Sequence, residues 1–94
     1  MNVFEKFKLS KHTIEAIEKL GISEPTDIQS KSIPHILNGK DVIGESATGS
    51  GKTLAFGCGI VEKVIPGAGL QSLILTPTRE LAEQVKHSLR QLAY

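Results

Sequence analysis

Apolar residues near the start of the chain recur at the spacing of a helix. Ile14, Ile17 and Leu20 fall on one face when the segment is wound at 3.6 residues per turn. Ser10 precedes them and can cap the helix, and Gly21 follows as a residue that readily adopts the left-handed conformation of a helix stop. The pattern therefore predicts a short helix between Ser10 and Gly21.

A second helical pattern begins a few residues later. The segment 26–29 (Thr-Asp-Ile-Gln) fits a capping box, in which the first and last side chains bond to each other's backbone N–H groups. Ile33, Ile36 and Leu37 continue its apolar face. Pro34 lacks an N–H group, so it should kink the helix or interrupt its hydrogen bonding.

Helical and strand-like patterns alternate in the second half of the chain. Residues 41–45 and 73–75 are short and apolar at their centres, which is typical of buried strands. Helices are predicted from about residue 52 to 64 and again after residue 78, where the apolar face comprises Leu81, Val85, Leu89 and Leu92. Because strands alternate with helices, we expect an α/β fold with a parallel sheet flanked by helices.

Two glycines lie inside the predicted helix 52–64. Gly57 and Gly59 each lower helix propensity by roughly 1 kcal/mol relative to alanine. Glycine also lacks a side chain and so permits close packing. We therefore expect a neighbouring element to approach the helix at these two positions.

Composition excludes several classes of protein. The chain has 94 residues, 39% hydrophobic and 22% charged, which is neither disordered nor membrane-spanning as a whole. A net charge of +1 neither requires nor excludes a nucleic-acid partner. Cys58 is the single cysteine, so no intrachain disulfide can form, and we expect it to be a small buried hydrophobe. We expect a cytoplasmic protein without a membrane partner.

The loop between the first predicted strand and the helix after it carries candidate chemistry. It reads Ser46-Ala47-Thr48-Gly49-Ser50-Gly51-Lys52-Thr53 and ends in Gly-Lys-Thr, as phosphate-binding loops of nucleoside triphosphatases do. Glycines let successive backbone N–H groups face phosphate oxygens, and the helix that follows adds the positive end of its dipole. An ordinary glycine-rich loop with a surface lysine is the alternative. The loop by itself indicates triphosphate binding, which kinases, transporters, motors and helicases share.

Two segments that flank the loop indicate which of these kinds of protein the chain resembles. Residues 21–29 resemble the Q motif of DEAD-box RNA helicases, and Phe4 precedes Gly21 by the 17 positions that the family's upstream aromatic residue requires. Residues 47–53 are similar to its motif I, although Ser46-Ala47 stands in place of the Ala-x pair. The segment 77–82 (Pro-Thr-Arg-Glu-Leu-Ala) matches motif Ia in full. The chain thus resembles the N-terminal part of the first RecA-like domain of this family.

The resemblance implies a role for each matching residue. Gln29 would read the Hoogsteen edge of adenine, Thr26 would anchor that segment, and Phe4 would stack on the base of ATP. Lys52 and Thr53 would be the catalytic groups, and Thr53 would be a ligand of Mg²⁺. Pro77, Thr78 and Arg79 would lie against the RNA backbone. The residues expected to hold phosphate and Mg²⁺ are Ser46, Ala47, Thr48, Gly49, Ser50, Gly51, Lys52 and Thr53.

Each assignment has a structural alternative. Gln29 could merely close the capping box with Thr26, which the residues alone favour. Phe4 could belong to the core, and Thr78 could be only an N-cap. Arg79 could lie on a solvated first helical turn.

The resemblance also implies that parts of the family's domain are absent from this sequence. The chain stops at Tyr94, before the Asp-Glu-Ala-Asp segment, the Ser-Ala-Thr segment and the second RecA-like domain. We expect residues 1–40 to form the Q-motif region and residues 41–94 to form a truncated ATP-binding part. In the family, the two predicted strands are not neighbours, so their edges would stay unpaired. The fold is therefore expected to be incomplete, and to self-associate or pair with the missing remainder.

The sequence is compatible with three functions. The leading hypothesis is an ATP-dependent RNA helicase in its intact form, with this chain as an ATP- and ADP-binding fragment that is inactive alone. The second is a non-catalytic nucleotide- or RNA-binding fragment that pairs with another chain. A different phosphate-loop enzyme, such as a nucleotide kinase or an AAA-type ATPase, is the third, and the flanking motifs argue against it.

Overall fold

Four α-helices and one 3₁₀ helix account for the regular structure of the described part of the chain. The computed structural model describes residues 3–47 and 51–93. Its elements are a 3₁₀ helix over Val3–Phe7, α1 over Lys11–Lys19, α2 over Asp27–Leu37, α3 over Lys52–Lys63 and α4 over Arg79–Ala93. None of the helices in the described part is long and apolar enough to cross a membrane.

The first helix begins and ends as its sequence predicts. The Ser10 hydroxyl accepts a hydrogen bond from the Thr13 N–H group at 3.3 Å, which satisfies one of the free donors at the start of α1. Gly21 adopts a φ of 77° just beyond the helix, so the left-handed stop is confirmed.

The capping box at the start of α2 is also confirmed. The Thr26 N–H group donates to Gln29 Oε1 at 2.8 Å, and the Gln29 N–H group donates to Thr26 Oγ1 at 3.4 Å. The helix runs through Pro34 to Leu37 as one element. Pro34 therefore removes one donor without ending the helix.

A single hydrophobic core joins the two halves of the chain. Phe4 and Ile17 from the N-terminal region and Ile33 from α2 are fully buried, and they cluster with Cys58 of α3 and Leu92 of α4. Residues on both sides of the expected boundary at residue 40 thus contribute to the same core. Desolvation, and secondarily the Glu62 carboxylate, raise the pKa of the Cys58 thiol to about 12, as expected for a cysteine that acts as a buried hydrophobe.

Helix α3 packs closely against α2 and α4 because it carries glycine where they meet. A Cβ atom added at Gly57 would lie 2.8 Å from Leu92 Cδ1 of α4. One added at Gly59 would overlap Ile36 Cγ2 of α2. The expectation that these glycines permit close packing is confirmed.

The predicted parallel sheet is not confirmed. Within the ranges 3–47 and 51–93, neither residues 41–45 nor residues 73–75 form a strand. Their apolar side chains are not buried either, since Ile43 is 94% exposed and Leu75 is 85% exposed. A strand exists only as part of a hydrogen-bonded ladder, and the two segments do not pair with each other. The assignment of both segments to a sheet is therefore not confirmed in the described residues.

The apolar face predicted for the last helix is only partly covered. Val85 and Leu92 are buried and Leu89 is partly buried, whereas Leu81 is 38% exposed. Leu81 lies in the first turn of α4, next to the exposed segment 73–75 in the chain. The uncovered end of the helix therefore adjoins the place where the sheet was expected.

Gly59→Ala should destabilise the fold although alanine favours helix. The substitution gains about 1 kcal/mol of helix propensity, but overpacking against the stiff β-branched Ile36 costs roughly 1–3 kcal/mol. We expect a lower thermal midpoint in a circular dichroism melt. In an Ile36→Ala background, the same Gly59→Ala change should raise the midpoint. A stabilising effect of Gly59→Ala in the unmodified chain would show that the contact is not tight.

Candidate functional site

The phosphate loop enters α3 at the position that its sequence predicts. The structure describes Ser46 and Ala47 at the beginning of the loop and Gly51, Lys52 and Thr53 at its end. The remaining candidates, Thr48, Gly49 and Ser50, lie outside the described residues. Lys52 is the first residue of α3.

Lys52, near the end of the loop, bonds to Ser46 at its beginning. Lys52 Nζ donates a hydrogen bond to the Ser46 carbonyl oxygen at 2.8 Å. The ammonium group carries three hydrogens, so this contact leaves donors available. The side chain therefore places a positive charge beside the start of the loop.

The first turn of α3 presents backbone donors without a side-chain cap. Gly51 is the N-cap residue, with a φ of 91°, and no side chain in the described part accepts a hydrogen bond from this turn. The Gly51 carbonyl accepts the first helical bond, from the Ala55 N–H group at 3.2 Å. Free N–H groups at the positive end of a helix dipole favour an anion such as phosphate. The partly buried Thr53 hydroxyl belongs to the same turn.

Gln29 connects the start of α2 to this loop. Its side-chain Nε2 donates to the Gly51 carbonyl oxygen at 3.0 Å, while its Oε1 accepts from the Thr26 N–H group. The side chain is only 2% exposed. The capping box thus holds the amide in place from one side, and the phosphate loop holds it from the other.

Two observations favour glycine at position 51. Its left-handed φ disfavours any residue with a side chain. A Cβ atom at this position would also overlap Gln29 Nε2 and lie 3.2 Å from Thr26 Oγ1. The sequence indicated the first reason through the loop pattern. The second joins residues 22 positions apart, and no local signal could have revealed it.

Phe4 lies in the core. Its ring is fully buried and meets Phe7 edge to face, with ring centroids 5.8 Å apart and planes inclined by 68°. This placement matches the structural alternative for Phe4. Stacking on a base remains a prediction, and it requires that the ring become accessible.

The three residues expected to contact RNA lie together in front of α4. Pro77, Thr78 and Arg79 are all exposed. The Thr78 hydroxyl accepts a hydrogen bond from the Leu81 N–H group at 3.1 Å, so it acts as the N-cap of α4. The N-cap alternative is therefore observed. Arg79 extends from the first turn and is available to a phosphate group.

A cavity adjoins the candidate site at Lys52, and the described residues contain no metal-binding cluster. Residues 3–47 and 51–93 contain no group of three or more His, Cys, Asp or Glu side chains placed to hold a metal ion. A cavity of about 740 Å³ lies between α2 and α3, bordered by Ile36, Asp41, Lys52 and Gly59 among others. Its lining includes Lys52 but neither Gln29 nor Gly51, so among the described residues the cavity meets the candidate site at Lys52 alone.

A family profile and a related sequence both place the chain in the same protein family. A sequence profile described as DEAD/DEAH box helicase matches residues 26–94. The chain is 50% identical over 90 residues to the DEAD-box ATP-dependent RNA helicase CshA of Geobacillus kaustophilus. That match covers 95% of this chain and 19% of the relative, so the chain spans about a fifth of the relative's length.

Solved structures give the same result. A DEAD box protein from the hyperthermophile Methanococcus jannaschii superposes with a TM-score of 0.92 at 42% identity, over 96% of this chain and 25% of that protein. Dbp5 of S. cerevisiae, bound to RNA and ADP BeF3, superposes with a TM-score of 0.91 at 29% identity, over 99% of this chain and 25% of that chain. By sequence and by structure, the chain belongs to the DEAD/DEAH box helicase family.

Proposed function

We propose that this chain supplies the nucleotide-binding loop and an RNA-backbone contact of a protein with ATP-dependent RNA helicase activity. Family membership supports the activity, and the Geobacillus relative carries that name. The hydrogen bond between Gln29 and Gly51 carries the proposal, because it brings the candidate adenine reader to the end of the phosphate loop. A single nucleotide could then contact both.

The hydrogen-bonding capacity of Gln29 suits adenine. A side-chain amide has two N–H donors and two acceptor lone pairs. Gly51 occupies one donor and the Thr26 N–H group occupies one lone pair. One donor and one acceptor remain side by side, which complements N7 and the N6 amino group of adenine. Because the amide is buried, we infer that a base reaches it only after the covering atoms move.

The phosphate groups are assigned to the start of α3. Lys52 can exchange the Ser46 carbonyl for phosphate oxygens, which bear full negative charge and bind an ammonium group more strongly. The uncapped N–H groups of the first turn would accompany it. Thr53 is the residue of this turn whose hydroxyl would hold Mg²⁺, and the ion would neutralise phosphate charge there.

RNA is assigned to the exposed turn before α4. Arg79 and the N-terminal end of α4 both favour phosphate, so the contact would be with the sugar-phosphate backbone. Such contacts position a nucleic acid without reading its bases. We therefore propose an RNA contact that does not depend on base sequence.

Gln29→Glu tests whether the amide reads the base. Glutamate keeps an oxygen for the Thr26 N–H group but loses the donor. It also loses the hydrogen bond to Gly51, which affects ATP and GTP alike. Loss of the further hydrogen bond to the base, worth about 1 kcal/mol, should weaken ATP binding about fivefold more than GTP binding in fluorescence titrations. Gln84→Glu, on the exposed surface of α4, is the control. An equal loss for ATP and GTP would show that Gln29 serves only the fold.

Lys52→Ala tests the phosphate assignment. A charge-assisted hydrogen bond contributes about 1.5–3 kcal/mol, so affinity for ATP should fall roughly tenfold to a hundredfold in isothermal titration calorimetry. Lys19→Ala removes an equal charge from the exposed end of α1 and should leave the affinity unchanged. Retention of full ATP affinity by the Lys52 variant would exclude this loop as the phosphate site.

A non-catalytic role for the chain by itself is the second candidate. The described part holds no acidic cluster for a metal ion, and it exposes apolar side chains such as Ile43 and Leu75 that suit a partner. In this case the chain would bind nucleotide or RNA and pair with another chain. We expect no RNA-stimulated phosphate release from the purified chain. Turnover above the Lys52→Ala background would contradict this candidate.

A further inference from the structure

Helices α2 and α3 are joined by a hydrogen bond at each end. At their starts, Gln29 Nε2 donates to the Gly51 carbonyl oxygen at 3.0 Å. At their far ends, Lys63 Nζ donates to the Ile36 carbonyl oxygen, also at 3.0 Å. Lys63 is the last residue of α3, and Ile36 lies in the last turn of α2. The two helices therefore run parallel, start beside start and end beside end.

Ile36 is held against α3 by its side chain as well as by its carbonyl group. A Cβ atom added at Gly59 would overlap Ile36 Cγ2, so the side chain lies directly on the backbone of α3. Gly59 and Lys63 are four positions apart, which places them on the same face of the helix in consecutive turns. These two turns of α3 thus contact two different groups of one residue.

The bond from Lys63 does more than end α2. Carbonyl groups in the last turn of a helix lack their usual partners and form the negative end of the helix dipole, so they attract an ammonium group. The Ile36 oxygen already accepts from the Gly39 N–H group at 3.0 Å, within the turn that ends the helix. Lys63 adds a donor from α3 to this oxygen and so attaches the end of α2 to its neighbour.

The place of Gln29 depends on how α2 lies along α3. Ile36 follows Gln29 by seven positions, close to two helical turns, so both residues face α3. Because α2 is one continuous helix across Pro34, a shift of Ile36 relative to α3 also moves Gln29. A displacement of about 0.5 Å takes a 3.0 Å hydrogen bond beyond the range in which it is strong. The β-branched side chain of Ile36 has few rotamers, so its contact with Gly59 restrains the helix itself.

We propose that Lys63 and Ile36 are positioning residues for the Gln29 amide. They fix α2 along α3 at the far end, and the amide is thereby held at the Gly51 carbonyl oxygen at the near end. This positioning can be observed without any nucleotide. Its expected consequence, a preference for ATP over GTP, rests on the proposed function of Gln29 as a reader of adenine.

Exchange of the Gln29 side-chain amide protons with water tests the positioning. NMR measures the exchange rate on the chain without nucleotide, and the pair of signals that disappears in Gln29→Glu identifies the group. Lys63→Met keeps the apolar stem of the side chain but removes its charge. The exchange rate should then rise about twofold to fivefold, which is the effect of one cation at a helix end.

Two further variants control for charge and chemistry. Lys63→Arg should restore the original exchange rate, because a guanidinium group also donates to a carbonyl oxygen. Lys19→Met removes an equal charge from the last residue of α1, which is exposed as Lys63 is, and should leave the exchange rate unchanged.

Substitutions of Ile36 separate the shape of its side chain from its size. Leucine keeps the volume but lacks the branch at Cβ that lies on Gly59, whereas valine keeps the branch and loses one methyl group. Each change should have only a modest effect on stability. Ile36→Leu should therefore raise the exchange rate of the Gln29 protons about as much as Lys63→Met does. Ile36→Val should leave it close to that of the unmodified chain.

Fluorescence titrations with ATP and GTP test the consequence for the base. Lys63→Met should reduce the preference for ATP about twofold to fivefold. In a Gln29→Glu background it should leave the preference unchanged, because a positioning residue has no effect once the group that it positions is gone. If Gln29→Glu itself leaves the preference unaltered, the proposed reading of adenine fails. The exchange rates of the Gln29 protons then still decide whether the amide is positioned from α3.

Several outcomes would overturn the positioning. One is an unchanged exchange rate in Lys63→Met, and another is a rate that Lys63→Arg does not restore. An equal rise in Lys19→Met would attribute the effect to net charge. A rise shared by the backbone amides throughout α1–α4 would show that Lys63 serves only the stability of the whole fold.

Discussion

The close packing of α3 against its neighbours is the constraint on which the rest of the structure depends. This helix contacts α1, α2 and α4. It also begins at the last residues of the phosphate loop. The absence of side chains at Gly57 and Gly59 lets Leu92 and Ile36 approach its backbone. Protein interiors pack at close to the density of organic crystals, so a single added methyl group at such a contact changes the stability of the fold. The proposed nucleotide loop therefore leads into a helix that packs against three others.

The position of α2 beside α3 also brings Gln29 to the phosphate loop. The start of α2 comes close enough to the start of α3 for Gln29 to bond to Gly51. A capping box that would otherwise serve only its own helix then extends to the phosphate loop. The two readings of Gln29, as a structural cap and as a candidate adenine reader, are therefore compatible. One amide has enough donors and acceptors to serve both.

The helices and the strand-like segments of this chain differ in what they need from the rest of a structure. A helix satisfies its backbone hydrogen bonds internally, so α1–α4 form once their apolar faces find each other. A strand needs a neighbour for the same purpose. Residues 41–45 and 73–75 have the composition of strands, but in the described part they have no strand neighbour. Apolar side chains of both segments, such as Ile43 and Leu75, therefore remain exposed.

The sequence by itself determined the helices, their ends and the family. Ser10, Gly21 and the Thr26–Gln29 capping box act within a few residues of themselves, so their effects can be read locally. The motifs at residues 46–53 and 77–82 are equally local, and the family that they indicate is the one whose profile matches.

Only the tertiary structure decided three further points: that Gln29 holds Gly51, that Phe4 is buried in the core and that residues 73–75 remain unpaired. Each depends on groups distant in the sequence that meet, or fail to meet, in space. Periodicity reports which side of an element is apolar, but it does not report what covers that side.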